Sequence, residues 1–113
     1  VNYGTDELVV FLNDGGTFTA LAPIPVGDGP TGVAAGDLDV DGDLDLAVVN
    51  FFDDTVTVVL GDGAGGFAVE QAFTTDPQPE AVAVGDVNGD GVSDIVVANG
   101  LPDSSVSLFL SNP

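Results

Sequence analysis

Residues 35–50 read AGDLDVDGDLDLAVVN, and 49 positions later residues 84–99 read VGDVNGDGVSDIVVAN, aligned without a gap. At the centre of each lies a loop with oxygen-bearing side chains at alternate positions. The first copy has Asp37, Asp39, Asp41, Asp43 and Asp45; the second has Asp86, Asn88, Asp90 and Asp94, with Val92 at the seventh position. Position six is Gly42 or Gly91, the residue type that takes a sharp turn at least steric cost. Calcium takes about six to eight oxygen ligands at about 2.3–2.6 Å, and a loop with this spacing, curled round one point, supplies them. Position seven offers its backbone carbonyl, so Val92 can replace Asp43 without loss of a ligand. Without a cation, carboxylates converging to about 4 Å repel by about 1 kcal/mol per pair in water and about 4 kcal/mol at an effective dielectric near 20. The expectation is two Ca²⁺ sites, at Asp37, Asp39, Asp41, Asp43 and Asp45 and at Asp86, Asn88, Asp90, Val92 and Asp94, whose loops owe their order to the ion.

Two other readings compete. Asp and Gly are good turn residues on any solvated surface, but recurrence of the whole pattern at a fixed period weighs against a chance turn. A helical calcium loop of the EF-hand or dockerin kind starts with the same spacing but carries a Glu at position 12. Here position 12 is Val48 or Val97, and the segments that follow, DLAVVN and DIVVAN, have the β-branched content of buried strands.

Working outward, the 49-residue offset also carries Pro30 onto Pro79 and Phe18 onto Phe67. A register of 48 places Val1 and Asn2 on Val49 and Asn50, and Leu12, Asn13, Asp14 and Gly15 on Leu60, Gly61, Asp62 and Gly63. Short runs of Val, Ile, Leu, Phe and Thr alternate with Gly, Asp, Asn and Pro, and no segment has helical periodicity. Strands are expected near residues 8–12, 18–21, 33–36, 45–50, 55–60, 67–73, 81–85, 94–98 and 106–110. The Gly-rich links at 13–16 and 61–66 read as structural hairpin turns. Val33, Leu46, Val48, Val58, Leu60, Phe67, Val82, Ile95, Val97 and Leu108 are expected in the core, with Phe18 and Phe67 anchoring an outer strand. Four hairpin-linked strands in about 49 residues describe one propeller blade. The fold class is therefore all-β, with four-stranded antiparallel meander blades. About two and a third repeats make an incomplete ring: residues 1–29 end one blade, 30–78 form a complete blade and 79–113 a partial one.

The charge is one-sided. Nineteen Asp and Glu face no Lys, Arg or His, for a formal net charge of −19. Such a field repels nucleic acid and anionic membrane surfaces and attracts divalent cations. The hydrophobic content of 44% supports a packed core. There is no Cys, hence no disulfide framework or thiolate site. No apolar run is long enough for a membrane-spanning helix, and the opening residues Val1, Asn2 and Tyr3 carry no basic leader, so the chain reads as a mature or excised segment. Without His, Cys, Lys or Arg, the usual bases, nucleophiles and phosphate clamps are missing. Glu7, Glu70 and Glu80 sit in no motif that sets an acid opposite a base. The expectation is no enzyme.

The apolar-Gly-Asp lead, the Asp loop, the DLAVVN strand and the following VTVVLGDGAGGF together resemble the FG-GAP or VCBS repeat family, the integrin α-subunit type of propeller, over nearly the whole chain. The resemblance implies loops that join the first two strands of a blade and hold Ca²⁺ on the ten residues named above. It also implies a non-catalytic extracellular or cell-surface module for adhesion, ligand binding or scaffolding. Its partners would be calcium, other blades and a protein or glycan ligand. The other blades would come from the same chain in a longer parent or from further copies, and a ring or filament of copies is the alternative, structural role. A lectin role is a further alternative, because Tyr3 and the Phe51–Phe52 pair fall at one repeat-equivalent place where rings can stack on a sugar. Asp53, Asp54 and Asp103 fall in corresponding loops, as a ligand rim or as solvated turns.

Overall fold

The computed structural model describes residues 1–102 and 104–111, and in them every regular element is a β-strand. The strands are β1 (Glu7–Leu8), β2 (Phe11–Asp14), β3 (Thr17–Ala20), β4 (Ile24–Pro25), β5 (Pro30–Gly36), β6 (Asp45–Asn50), β7 (Thr55–Gly61), β8 (Phe67–Thr74), β9 (Pro79–Gly85), β10 (Asp94–Asn99) and β11 (Val106–Phe109). All pairings are antiparallel and the sheets are open. The middle sheet runs β5-β6-β7-β8 in chain order, the C-terminal sheet β9-β10-β11, and the N-terminal region pairs β1 with β4 and β2 with β3. A meander of this kind follows from short Val- and Thr-rich strands joined by tight turns.

One expected strand, at residues 8–12, is split into β1 and β2. The pairing runs Leu8↔Ile24 and then Phe11↔Ala20, a loss of one residue in register. The gap holds Pro23, which has no N–H to give a ladder. The middle sheet shows the same irregularity at the corresponding place, where Val58↔Gln71 is followed by Val59↔Val69 and Glu70 is bulged out.

Strand alternation would bury one face, yet the middle sheet buries both. Ala47, Val49, Val56 and Val58 pack against Ile95 and Val97 of the C-terminal sheet, while Val48 and Val59 pack against Leu8 of the N-terminal region. Val48, Val49, Val56 and Val59 are fully buried, each contributing roughly 1.5–3 kcal/mol relative to an exposed side chain. Of the expected core, Val48, Val58, Ile95 and Val97 are buried and Leu46, Leu60, Phe67 and Val82 half-buried. Val33, Phe18 and Leu108 are instead exposed, at 44%, 65% and 52%. Each lies on a stretch of sheet face that no described element covers.

Asp6 and Asp54 build the joint between successive sheets. Their carbonyls accept the N–H of Val26 and Thr75, at 3.0 and 2.9 Å. Their carboxylates accept those of Gly29 and Gln78, both at 2.9 Å. Asp53 in turn accepts from the Asp28 N–H. Asp53 and Asp54 therefore serve as turn residues, and Asp103 lies outside the described residues.

Candidate metal centre

Each Asp loop joins the first two strands of its sheet, β5 to β6 and β9 to β10. The two loops are held by one hydrogen-bond scheme. The first-position carboxylate gathers three N–H groups from inside the loop. Asp37 Oδ1 accepts from Val40 (2.8 Å) and Asp41 (3.2 Å), and its Oδ2 from Gly42 (2.9 Å). Asp86 does the same with Gly89, Asp90 and Gly91 at 2.8, 3.2 and 2.8 Å. Positions three and five each accept from the N–H two residues on, in Asp39 and Asp41 of one loop and in Asn88 and Asp90 of the other. These local bonds are the ones by which Asp and Asn favour turns over ladders.

The ninth position does more than alternation suggests. Asp45 and Asp94 are fully buried at the head of the second strand. One oxygen of each reaches back to the position-two N–H, Leu38 at 2.7 Å and Val87 at 3.0 Å. The other crosses to the end of the third strand, meeting Gly61 N–H at 3.0 Å and Ser111 N–H at 2.9 Å. One aspartate thus fastens the loop to the sheet.

Three carboxylates converge in each loop, Asp37, Asp39 and Asp45 in one and Asp86, Asp90 and Asp94 in the other, with ligand oxygens within 4.8 Å of one another. Two oxygens on opposite sides of a Ca²⁺ lie about 4.6–5.2 Å apart, so the donor set fits a bound divalent cation. Asp41 stands outside the first cluster. Asn88 turns its amide to Asp90 Oδ2 at 3.3 Å. The position-seven side chains turn elsewhere: the Asp43 carboxylate lies against Gly63, and Val92 is buried.

Gathering acids shifts their titration. Partial desolvation, then the charge of Asp45 and hydrogen bonding with Asp41, raises the Asp39 carboxyl above its ordinary value of 3.8. The Gly91 N–H, with those of Gly89 and Asp90, holds Asp86 below it. For Asp86 the folded value is the lower one, so its contribution to stability is present above about pH 3.8 and lost as pH falls through the folded value. For Asp39 the sign reverses: its contribution is present below about pH 3.8 and lost as pH rises through the folded value. Protons compete with a cation for the same oxygens. On acidification from about pH 7 to 4, the first loop is therefore expected to lose its ion at the higher pH. Calorimetric titrations of Asp86→Ala, which keeps the first loop, and Asp37→Ala, which keeps the second, check this; earlier loss in the second loop is the contrary result.

Backbone strain separates the two copies. Position four is left-handed in both, with φ 66° at Val40 and 79° at Gly89. A β-branched residue in that region is a genuine outlier, costing about 1–2 kcal/mol, and Val40 is exposed, so no burial offsets it. Val40→Gly is expected to stabilise the protein by about 0.5–1 kcal/mol after the entropy of the added glycine is subtracted; a lower melting temperature for the variant would contradict it.

Sequence alternation missed a second repeated feature, at the opposite end of β6 and β10. Asn50 donates from Nδ2 to Thr55 and Thr57 Oγ1 at 3.1 and 2.8 Å, and Asn99 to Ser105 and Ser107 Oγ at 3.4 and 2.9 Å. Both side-chain carbonyl oxygens are buried without a donor among the described residues. The signal was available in the alignment of Asn50 on Asn99.

A family model for an FG-GAP-like repeat matches residues 1–48 and 41–97. No curated protein matches the chain. The two matches together span most of the sequence and end close to the second loop and its strand. On them and on the repeated strand-loop-strand geometry, the chain belongs to the FG-GAP-like repeat family.

Proposed function

We propose that the chain is a calcium-stabilised module of the β-propeller type, acting outside the cell or at its surface as a non-catalytic adhesion, binding or scaffolding unit. The observation that carries this reading is the pair of Asp loops. They lie 49 residues apart, share one hydrogen-bond scheme, and each converges three carboxylates in a chain with no basic side chain. The blade assignment (1–29, 30–78, 79–113) is supported by the four-stranded meander at its centre, whose two faces are both packed by neighbouring sheets. The ion would be held by Asp37, Asp39, Asp41 and Asp45 with the Asp43 carbonyl, and by Asp86, Asn88, Asp90 and Asp94 with the Val92 carbonyl. When bound, it would offset two of the negative charges converged in each loop. What the chain itself supplies is the hydrogen-bonded scaffold that keeps the oxygens together. Millimolar extracellular calcium suits weak sites of this class. Among the partners would be calcium, neighbouring blades and a protein or glycan ligand, with no role for nucleic acid or membrane insertion.

Calorimetry in calcium and in magnesium tests the reading. The expected result is binding of Ca²⁺ in preference to Mg²⁺, which demands a tighter octahedral shell. The first loop, richer by one carboxylate, should bind more tightly, so Asp86→Ala, which keeps the first loop, should retain a tighter site than Asp37→Ala, which keeps the second. Equal binding of both ions, or none, would overturn it.

A glycan ligand is favoured by one further observation. Tyr3 and Phe52 are exposed with ring centroids 5.7 Å apart, and Phe51 meets Phe52 edge-on at 5.4 Å. A glycan-array screen in calcium buffer that finds no sugar would leave these rings as packing residues.

A further inference from the structure

We infer that Asn88 is a site of spontaneous modification, where the Asn88–Gly89 peptide cyclises, loses ammonia and opens to an aspartate or isoaspartate residue in the second Asp loop. The site follows from the covalent chemistry and local geometry of the loop and rests on no bound ion.

The reaction begins when the backbone nitrogen of the following residue attacks the side-chain amide carbon. The bond between Gly89 N and Asn88 Cγ forms as that nitrogen gives up its proton, and Cγ–Nδ2 breaks as Nδ2 departs as ammonia. One water then adds to the five-membered imide. Opening at one carbonyl leaves aspartate; opening at the other leaves isoaspartate, in which the main chain runs through the side-chain carbons. No oxidant or reductant takes part. A following residue without a Cβ hinders the attack least. The chain has six Asn, at positions 2, 13, 50, 88, 99 and 112, and only Asn88 and Asn99 precede Gly.

The structure separates these two. Asn99 ends β10 and is buried. Its Nδ2 donates to Ser105 and Ser107 Oγ, its own N–H to the Ser105 carbonyl, and the Gly100 N–H to the Gln78 carbonyl at 2.8 Å. A Cβ on Gly100 would lie 2.6 Å from Glu80 Oε1, so the attacking nitrogen sits in a filled joint. Both groups that must meet are tied to other parts of the sheet.

Asn88 is exposed, as are its neighbours from Asp86 to Gly91. Its amide is bonded within the loop, Nδ2 to Asp90 Oδ2 at 3.3 Å and Oδ1 to the Asp90 N–H at 3.2 Å. The Gly89 N–H goes to Asp86 Oδ1 at 2.8 Å. All three bonds are exposed. A Cβ on Gly89 or Gly91 would meet nothing within 4 Å, so the loop tip has room to turn. The attack at Asn88 needs only the loop to open, whereas at Asn99 the end of β10 must come away from its partners, a costlier local opening.

The change falls on one loop of the pair. The first has Asp39 at the matching position, followed by Val40, and has no amide to lose. The aspartate product gives the second loop carboxylates at positions one, three, five and nine, the set of the first. The isoaspartate product lengthens the main chain by one carbon between Asp86 and Asp90, which breaks the hydrogen-bond scheme that the two loops share.

Timed incubation of the 113-residue chain in mildly alkaline buffer tests the inference. Chelator is present, so the outcome does not depend on whether the loops hold calcium, and circular dichroism keeps the incubation below the melting transition. Tandem mass spectrometry of chymotryptic peptides locates the mass gain of an amide turned to a carboxyl. In urea, where both Asn–Gly pairs are unfolded, the two should convert at similar rates. In the folded chain Asn88 should convert at least about tenfold faster than Asn99, a ratio that corresponds to about 1.4 kcal/mol of extra opening cost at Asn99. Equal rates in the folded chain, faster conversion at Asn99, or an Asn88 left intact while the unfolded chain reacts would each overturn the assignment.

Discussion

Asp45→Ala is expected to lower stability by about 2–6 kcal/mol, enough to unfold much of the protein at ordinary temperatures. The buried Asp45 carboxylate accepts from two N–H groups, Leu38 and Gly61, in bonds that are themselves buried. An orphaned buried donor costs about 1–3 kcal/mol, and a domain of this size has only about 5–15 kcal/mol in all. Asp94→Ala removes the equivalent pair of bonds, to Val87 and Ser111, but these are only part-buried, so its loss should be smaller. Thermal melts of both variants with and without calcium decide the matter. If the loss came from the ion alone, it would vanish in chelator; a fastening role leaves Asp45→Ala the less stable in both conditions. Equal melting of the variant and wild type in chelator would contradict the fastening role.

Removing calcium should produce the other large effect. An ion that binds only the folded state stabilises by about 2.7 kcal/mol at a free concentration 100 times its Kd. Two such loops contribute about 5 kcal/mol, which for a domain near 100 residues corresponds to about 20 °C in melting temperature. The direction follows from charge. Each loop converges three carboxylates with no cation from the chain to oppose them, and chelation leaves their repulsion uncompensated. Melting by circular dichroism in calcium and then in excess chelator should show the drop, and readdition of calcium should reverse it.

Much of this was legible in the sequence because the repeat made it so. Two gapless copies placed β6 and β10, their loops and their turns at once, and the first-position and ninth-position aspartates met as the spacing requires. Burial was less legible. Val48 and Val49 are adjacent and both fully buried, which a half-buried strand forbids, because sheets cover both sides of β6. Conversely, Val33, Phe18 and Leu108 have the composition of core residues and are exposed, since what lies across a face is not written in the strand itself. The split between β1 and β2 arises from a register slip that only pairing reveals. The second task of Asp45, reaching Gly61 on a strand 16 positions away, needs the folded sheet to be seen. The joint made by Asp6 and Asp54 had a visible trace in their 48-residue offset, but its hydrogen bonds, from Val26 and Thr75 behind one sheet and from Gly29 and Gln78 ahead of the next, did not.

The question on which the rest turns is whether the Asp loops hold calcium. Equilibrium dialysis with radioactive Ca²⁺ counts ions per chain directly, on the wild type and on Asp37→Ala, Asp86→Ala and the double variant. About two ions per wild-type chain, one for each single variant and none for the double variant is the expected result. No bound calcium at millimolar free concentration, or two ions retained by the double variant, would contradict it.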